Sequence, residues 1–288
     1  YSAGNGGPGP GDAFCHRDWD TSYQSKARIY LWDTFNVKID WQIDSKACQG
    51  AVTWDLWRSQ PGDFNGHSPP PPQLDAVDSK TDVVTMTMGG NDAGFSATLN
   101  DCHFWGGLAQ PMTESRTDWF PGCWGRSLDD IDWSAIKKTL RDGYVQIRRE
   151  MNRSGHLFLL TYPYLFATGD NYAGGSCEGL RSGGVALATA GVNKVAETIQ
   201  AAATAATAQL TSEGITPNIH IVDIRGVDNW KSAANGLCSK SVPSSEWFIN
   251  RNNMAPDSMD SFHPTPRGYQ HMGYWLAEEV AKYYGTSN

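Results

Sequence analysis

The chain has 288 residues, 40% of them hydrophobic and 19% charged, which is enough apolar material for a core and too little charge for a disordered chain. Its formal net charge of −8 argues against a nucleic-acid partner, and no run of Lys and Arg offers itself to an anionic membrane. No stretch reaches the roughly 18 uninterrupted apolar residues of a membrane span, so no stable insertion is expected.

Taken in chain order, the first periodic segment is a helix at about 22–34. KIDWQID (38–44) follows and alternates partly, as a half-buried strand does. PGDFNGHSPPPPQ (61–73) must be loop, because four consecutive prolines forbid helix. DVVTMTM (82–88) is a short apolar strand that runs directly into GGNDAGF (89–95). Residues 101–128 form a long irregular excursion with Trp105, Trp119 and Trp124. A helix is expected over 129–152, a strand at HLFLLTY (156–162), a helix over 186–213 and a strand at IHIVDI (219–224). The helix over 186–213 carries Lys194 and Glu197 in an Ala-rich stretch, which suits a water-exposed helix rather than a span. Residues 225–262 are again irregular, and a final helix covers 266–284. Mostly apolar strands alternating with helices predict an α/β fold with a mainly parallel sheet, in one domain over residues 1–288. In such sheets ligands sit beyond the carboxyl ends of the strands, so the residues to inspect follow Asp44, Met88, Tyr162 and Ile224.

The cysteines are Cys15, Cys48, Cys102, Cys123, Cys177 and Cys238. None lies in a C-x-x-C pair, so zinc and thioredoxin-type chemistry are not indicated. An even, scattered set beside 12 Trp fits disulfides in a secreted protein. Many connectivities are open to six cysteines; the sequential one, 15–48, 102–123 and 177–238, is the expectation. Six reduced thiols in a cytosolic protein is the competing reading. Asn152-Arg-Ser154 is a glycosylation sequon, compatible with secretion and too common to decide it.

Three short blocks carry chemistry. Gly89 and Gly90 let the backbone turn sharply, presenting Asn91 at a strand end, where its amide can donate to a developing oxyanion. An Asn there equally suits the N-cap of a following helix. In ACQGA (47–51), Gly50 can offer a backbone N–H to the same rim, although a lone Gly in a loop is more often only a turn. In DSFHPTPRGY (260–269), Asp260 is three residues before His263, close enough to hold the imidazole Nδ1–H and leave Nε2 as a base. The other histidines (16, 67, 103, 156, 220 and 271) show no metal-ligand spacing.

Together the three blocks resemble those of the SGNH (GDSL-like) hydrolases, in the family's order and across essentially the whole chain. GGNDAGF looks like the family's Asn block, ACQGA like its Gly block and DSFHPTPRGY like its Asp-x-x-His block. The cysteine placement is similar to that of secreted actinomycete esterases and lipases with three sequential disulfides. The resemblance implies a three-layer α/β/α sandwich of flavodoxin-like type, and hydrolysis of esters without metal or cofactor. It makes His263 the general base, Asp260 its orienting carboxylate, and Asn91 and Gly50 two oxyanion donors. The implied substrate is a small-molecule, lipid or polysaccharide ester, and the expected state is a secreted monomer.

The family's nucleophile block reads G-D-S-x-S-x-G, and YSAGNG fits its tail, with Tyr1 as x, Ser2 as the second serine and Gly4 as the glycine. The nucleophilic serine then falls immediately before Tyr1, and the strand that carries it, central in this topology between 38–44 and 82–88, also lies upstream. The expectation is a truncated chain: a full product with further residues upstream, and a 288-residue chain that is inactive and poorly stable. Two rivals stand beside it: Ser2 as nucleophile with the Tyr1 amine as base, or a non-catalytic relative binding a glycan or lipid in the old cleft. GNGGPG (4–9) matches G-x-G-x-x-G literally, but Pro8 and Pro10 spoil a helix start and no strand precedes it.

Overall fold

The computed structural model describes residues 15, 22–38, 41–48, 50–61, 69–94, 127–174, 177, 182–226, 232–240 and 263–285. Its helices are α1 (Tyr23–Asp33), α2 (Trp133–Glu150), α3 (Ser182–Ser212), the single-turn α4 (Ser232–Asn235) and α5 (Pro266–Tyr284). Three strands, β1 (Val83–Met86), β2 (His156–Leu160) and β3 (Ile219–Val222), form a parallel sheet in the order β1-β2-β3.

Local chemistry sets the helix starts. Ser22 caps α1 by accepting from the Ser25 N–H, and Asp132 caps α2 by accepting from Ala135 N–H at 2.9 Å. Thr265 caps α5, accepting from Gly268 N–H at 3.0 Å, and Pro266 occupies the first helical turn, where no intrahelical N–H is needed.

The central strand β2 sorts the core into two layers. Phe158 and Leu160 point to one face and pack with Tyr23, Leu31, Met272 and Leu276, so α1 and α5 cover that side. Leu157 and Leu159 point to the other face and pack with Ile136, Leu140, Val195 and Ile199, so α2 and α3 cover it. The result is the expected helix–sheet–helix sandwich. α1 and α5 approach so closely that a Cβ on Gly273 would lie 2.5 Å from the Lys26 Cβ and 2.8 Å from the Tyr23 carbonyl oxygen; only glycine fits there.

The sequence expectations hold for the strands at 82–88, 156–162 and 219–224 and for the four helices, with ends shifted by a few residues. Two points differ. Of the strand expected at 38–44, the described residues 38 and 41–44 are in no strand; Trp41 packs edge-on against Tyr284 at 5.1 Å and Cys48 is tied to Cys15, but no described strand pairs with the backbone there. Alternating side chains do not make a strand without a neighbour to complete the ladder. The segment 225–262 also contains one helical turn, α4, buried at all four residues. Of the disulfides, Cys15–Cys48 and Cys177–Cys238 are formed as expected. Cys102 and Cys123 lie outside the described residues, as do Tyr1, Ser2, Gly4 and Asp260.

Candidate active site

The rim beyond the carboxyl end of β1 is built from two loops that lock together. Gly89 has φ +110°, and the chain turns tightly through residues 89–94, with Ala93 N–H donating to the Gly89 carbonyl at 3.2 Å and Gly94 N–H to the Asn91 carbonyl at 2.9 Å. Gly90 donates its N–H to the Tyr162 hydroxyl at 3.1 Å, and a Cβ on Gly90 would meet that ring at 2.9 Å. Tyr162 follows β2, so the second strand's end buttresses the turn after the first. Burial pushes the Tyr162 phenol well above its ordinary value, which keeps it a neutral hydroxyl at this contact.

The turn thus held presents Asn91, whose Nδ2 donates to the Ala51 carbonyl at 2.9 Å. That bond brings Asn91 to the residue next to Gly50, the two positions that the sequence assigns to one rim. An amide NH2 carries two hydrogens, so one fixes the side chain and the other is available to a ligand. Gly50 itself is exposed with φ +72°, a conformation that favours glycine. Its neighbour Ala51 donates to the Cys48 carbonyl at 3.2 Å, so the disulfide steadies the same loop.

A second clasp has no signal in the sequence. Asp92 accepts from the Thr53 N–H through both carboxylate oxygens at 3.0 Å and from the Thr53 hydroxyl at 2.6 Å. Burial raises the Asp92 pKa, the Thr53 hydrogen bonds pull the other way, and the carboxylate of Asp55 adds to the rise. The adjoining 3-10 turn, Thr53–Leu56, is closed by Asp55, whose Oδ2 accepts from Val52 N–H at 2.9 Å.

His263 is half-buried and sits three residues before α5. The far end of that helix marks its direction: Tyr284 donates its hydroxyl to the carbonyl of Asp82, just before β1, and Tyr283 stacks on His220 of β3 at 4.1 Å. α5 therefore ends at the amino end of the sheet, and His263 lies toward the carboxyl end, the side of Asn91 and Gly50. Its proposed partner Asp260 is outside the described residues. Among the described residues no three His, Cys, Asp or Glu side chains gather as metal ligands.

A cavity of about 790 Å³ runs along the outer edge of β1. Residues 41–48 form its opposite wall, and Leu31, Leu276 and Val280 contribute to its lining. It extends from Thr81, Asp82 and Tyr284 to Met88, Asn91 and Ala51. Asp82 accepts from His156 N–H, so the alternation of the strand turns the N–H and C=O of Val83 and Thr85 toward this cavity.

An α/β sandwich with a polar rim at its strand ends defines a broad class. The sequence places the chain within that class: residues 70–276, more than half of its length, match the GDSL-like lipase/acylhydrolase family, and the chain belongs to that family. Curated relatives include Lipase 1 of Streptomyces coelicolor, 30% identical over 102 residues (35% of this chain, 31% of that protein). A lipase of Streptomyces rimosus is 40% identical over 60 residues (21% and 18%), so the matched stretches span under a third of those relatives' lengths. Two solved structures share the fold over nearly the full length. An extracellular lipase from Streptomyces rimosus has a TM-score of 0.62 and 21% identity, over 97% of this chain and 94% of that one. A phospholipase A1 from Streptomyces albidoflavus has a TM-score of 0.62 and 22% identity, over 96% and 93%.

Proposed function

We propose that the protein is a secreted serine esterase or lipase that hydrolyses carboxylic esters through an acyl-enzyme, acting as a monomer. The observation that carries this reading is the Asn91–Ala51 bond, which fixes a side-chain amide beside Gly50 at the carboxyl end of β1. In the proposed reaction a serine Oγ attacks the ester carbonyl while His263 takes its proton and Asp260 orients the imidazole. The free hydrogen of the Asn91 amide and the Gly50 N–H bind the oxyanion. Collapse of the tetrahedral adduct breaks the ester C–O bond, and the alcohol leaves with the proton from His263. Water, deprotonated by His263, then attacks the acyl carbon and releases the acid and the serine.

The likeness of YSAGNG to the tail of the nucleophile block puts this serine directly before Tyr1. The cavity beside β1 supports that position. A strand lying in it, parallel to β1, would pair with Val83 and Thr85 and deliver its carboxyl end to Asn91 and Ala51. The two observed disulfides, and the absence among the described residues of a helix long and apolar enough to cross a membrane, are compatible with secretion.

The test is fluorophosphonate labelling and p-nitrophenyl ester hydrolysis by the protein expressed from its complete coding sequence. Labelling at the residue before Tyr1, and turnover abolished by His263→Ala, are expected. Tight glycan binding without labelling would favour a binding module. Turnover by the 288-residue chain itself would return Ser2 to the role of nucleophile.

A further inference from the structure

The 3-10 turn Thr53–Leu56 turns three of its four side chains inward: Thr53, Asp55 and Leu56 are 1–3% exposed, whereas Trp54 is 57% exposed. No other large hydrophobic side chain among the described residues is as exposed. The turn cannot easily swing the indole into shelter. Its backbone is held by Asp92 through Thr53 and by Asp55 through Val52. Leu56 sits against Gly143 of α2, where an added Cβ would come within 2.5 Å of it. Trp57 stands 5.8 Å from Trp54, ring centre to ring centre, and widens the apolar surface. The patch is joined to the candidate site by the chain itself: Ala51, which holds Asn91, is three residues before Trp54.

A different exposed indole supplies the contrast. Trp32 on α1 is 48% exposed, but the Lys38 ammonium lies 4.6 Å from its ring centre and keeps that face hydrated. We propose that Trp54, backed by Trp57, is an interfacial anchor that seats the rim of the candidate site on a zwitterionic lipid–water interface. Indoles settle in such boundaries because the ring is apolar and the N–H finds a partner in the headgroup layer. The net charge of −8 disfavours anionic surfaces. This deepens the ester-hydrolase reading, because it names an aggregated lipid as the form in which substrate is met.

The experiment is co-sedimentation of the protein expressed from its complete coding sequence with phosphatidylcholine vesicles, comparing wild type, Trp54→Ala and Trp32→Ala. Removing an indole that buries about half its surface should weaken partitioning roughly tenfold or more. Trp32→Ala should stay within about twofold, since the changed ring is remote from the rim and already solvated. Quenching of tryptophan fluorescence by brominated phosphatidylcholine should fall in Trp54→Ala, with circular dichroism confirming that the variant is folded. Equal partitioning of wild type and Trp54→Ala, or no partitioning of wild type, overturns the proposal. So does a Trp54-dependent affinity for soluble polysaccharide in place of vesicles. Vesicle binding needs no nucleophile, so its outcome is independent of whether the esterase reading survives.

Discussion

The two ends of the sheet both gather polar groups, and they hold them differently. At the carboxyl end, Asn91, Asp92 and Thr53 are fixed by hydrogen bonds between loops distant in sequence, on a turn that Gly90 and Tyr162 brace. At the amino end, His156 and His220 share one hydrogen bond at 2.8 Å and lie under Tyr283, at 4.7 and 4.1 Å between ring centres. The first arrangement fixes dipoles where charge would develop in a reaction. The second half-buries two imidazoles, whose protonation burial disfavours, among rings and closes the end of α5 onto the sheet. A close histidine pair is thus a structural contact here, while the candidate base is a single histidine at the other end of the same helix.

The largest expected effect tests that division directly. In the active protein, Asn91→Ala should lower turnover by about 100–1000-fold, the usual cost of one oxyanion donor. Its stability should drop by only about 0.5–1.5 kcal/mol for the lost Ala51 bond. His220→Gln, assayed at pH 7.5, should leave turnover within about twofold. Steady-state kinetics beside thermal melts decide the matter. If His220→Gln costs more turnover than Asn91→Ala, the assignment of the two ends is reversed.

A smaller effect probes how the rim is braced. Gly90→Ala places a methyl 2.9 Å from the Tyr162 ring, so the turn or the ring must move. Overpacking of this kind costs about 1–3 kcal/mol, measurable by urea unfolding. Tyr162→Ala in the same chain removes the clashing ring, so the two changes together should destabilise by less than the sum of each alone. Strict additivity would mean that Tyr162 does not brace Gly90. Asp92→Ala should fall in the same range of about 1–3 kcal/mol, because it leaves the Thr53 N–H without its acceptor; Asp92→Asn, which keeps an acceptor oxygen, should cost less.

Much of the sandwich is legible in the chain because the signals are local. Apolar runs mark β1, β2 and β3, and periodic segments before, between and after them mark the four long helices. Asn91 stands out because the two glycines just after β1 permit a sharp turn at a strand end, and Gly50 because its block is like the family's Gly block. What hides is anything that needs two distant segments to meet. Thr53 and Asp92 are ordinary residues 39 positions apart until their loops touch. Residues 38–44 alternate like a strand, yet alternation describes faces and says nothing of a pairing partner. His156 and His220 carry no ligand spacing, and only the register that aligns Phe158 with His220 brings the two imidazoles together on the diagonal.

The smallest effect belongs to that histidine pair, and its sign is fixed by burial. His220 is pushed down to about 4, chiefly by burial and then by His156, with Arg148 and Lys282 adding to the fall and Glu279 opposing it. His156 is lowered as well, by burial and by Arg148. The unfolded chain protonates its histidines near 6.5, so between that pH and 4 it binds more protons than the folded protein. Stability from this pair is therefore complete above pH 6.5 and is lost as the pH falls through 4. His220→Gln, which cannot titrate, should flatten the decline by about 1 kcal/mol after allowance for solvent screening. His271, also held down to about 4 by burial and by Arg267, keeps its own share of the slope in both proteins. Urea unfolding midpoints of the two proteins from pH 7 to pH 4 measure the difference. Parallel curves would mean that the pair at the amino end contributes no acid sensitivity, and the contrast between the two ends would then rest on the rim alone.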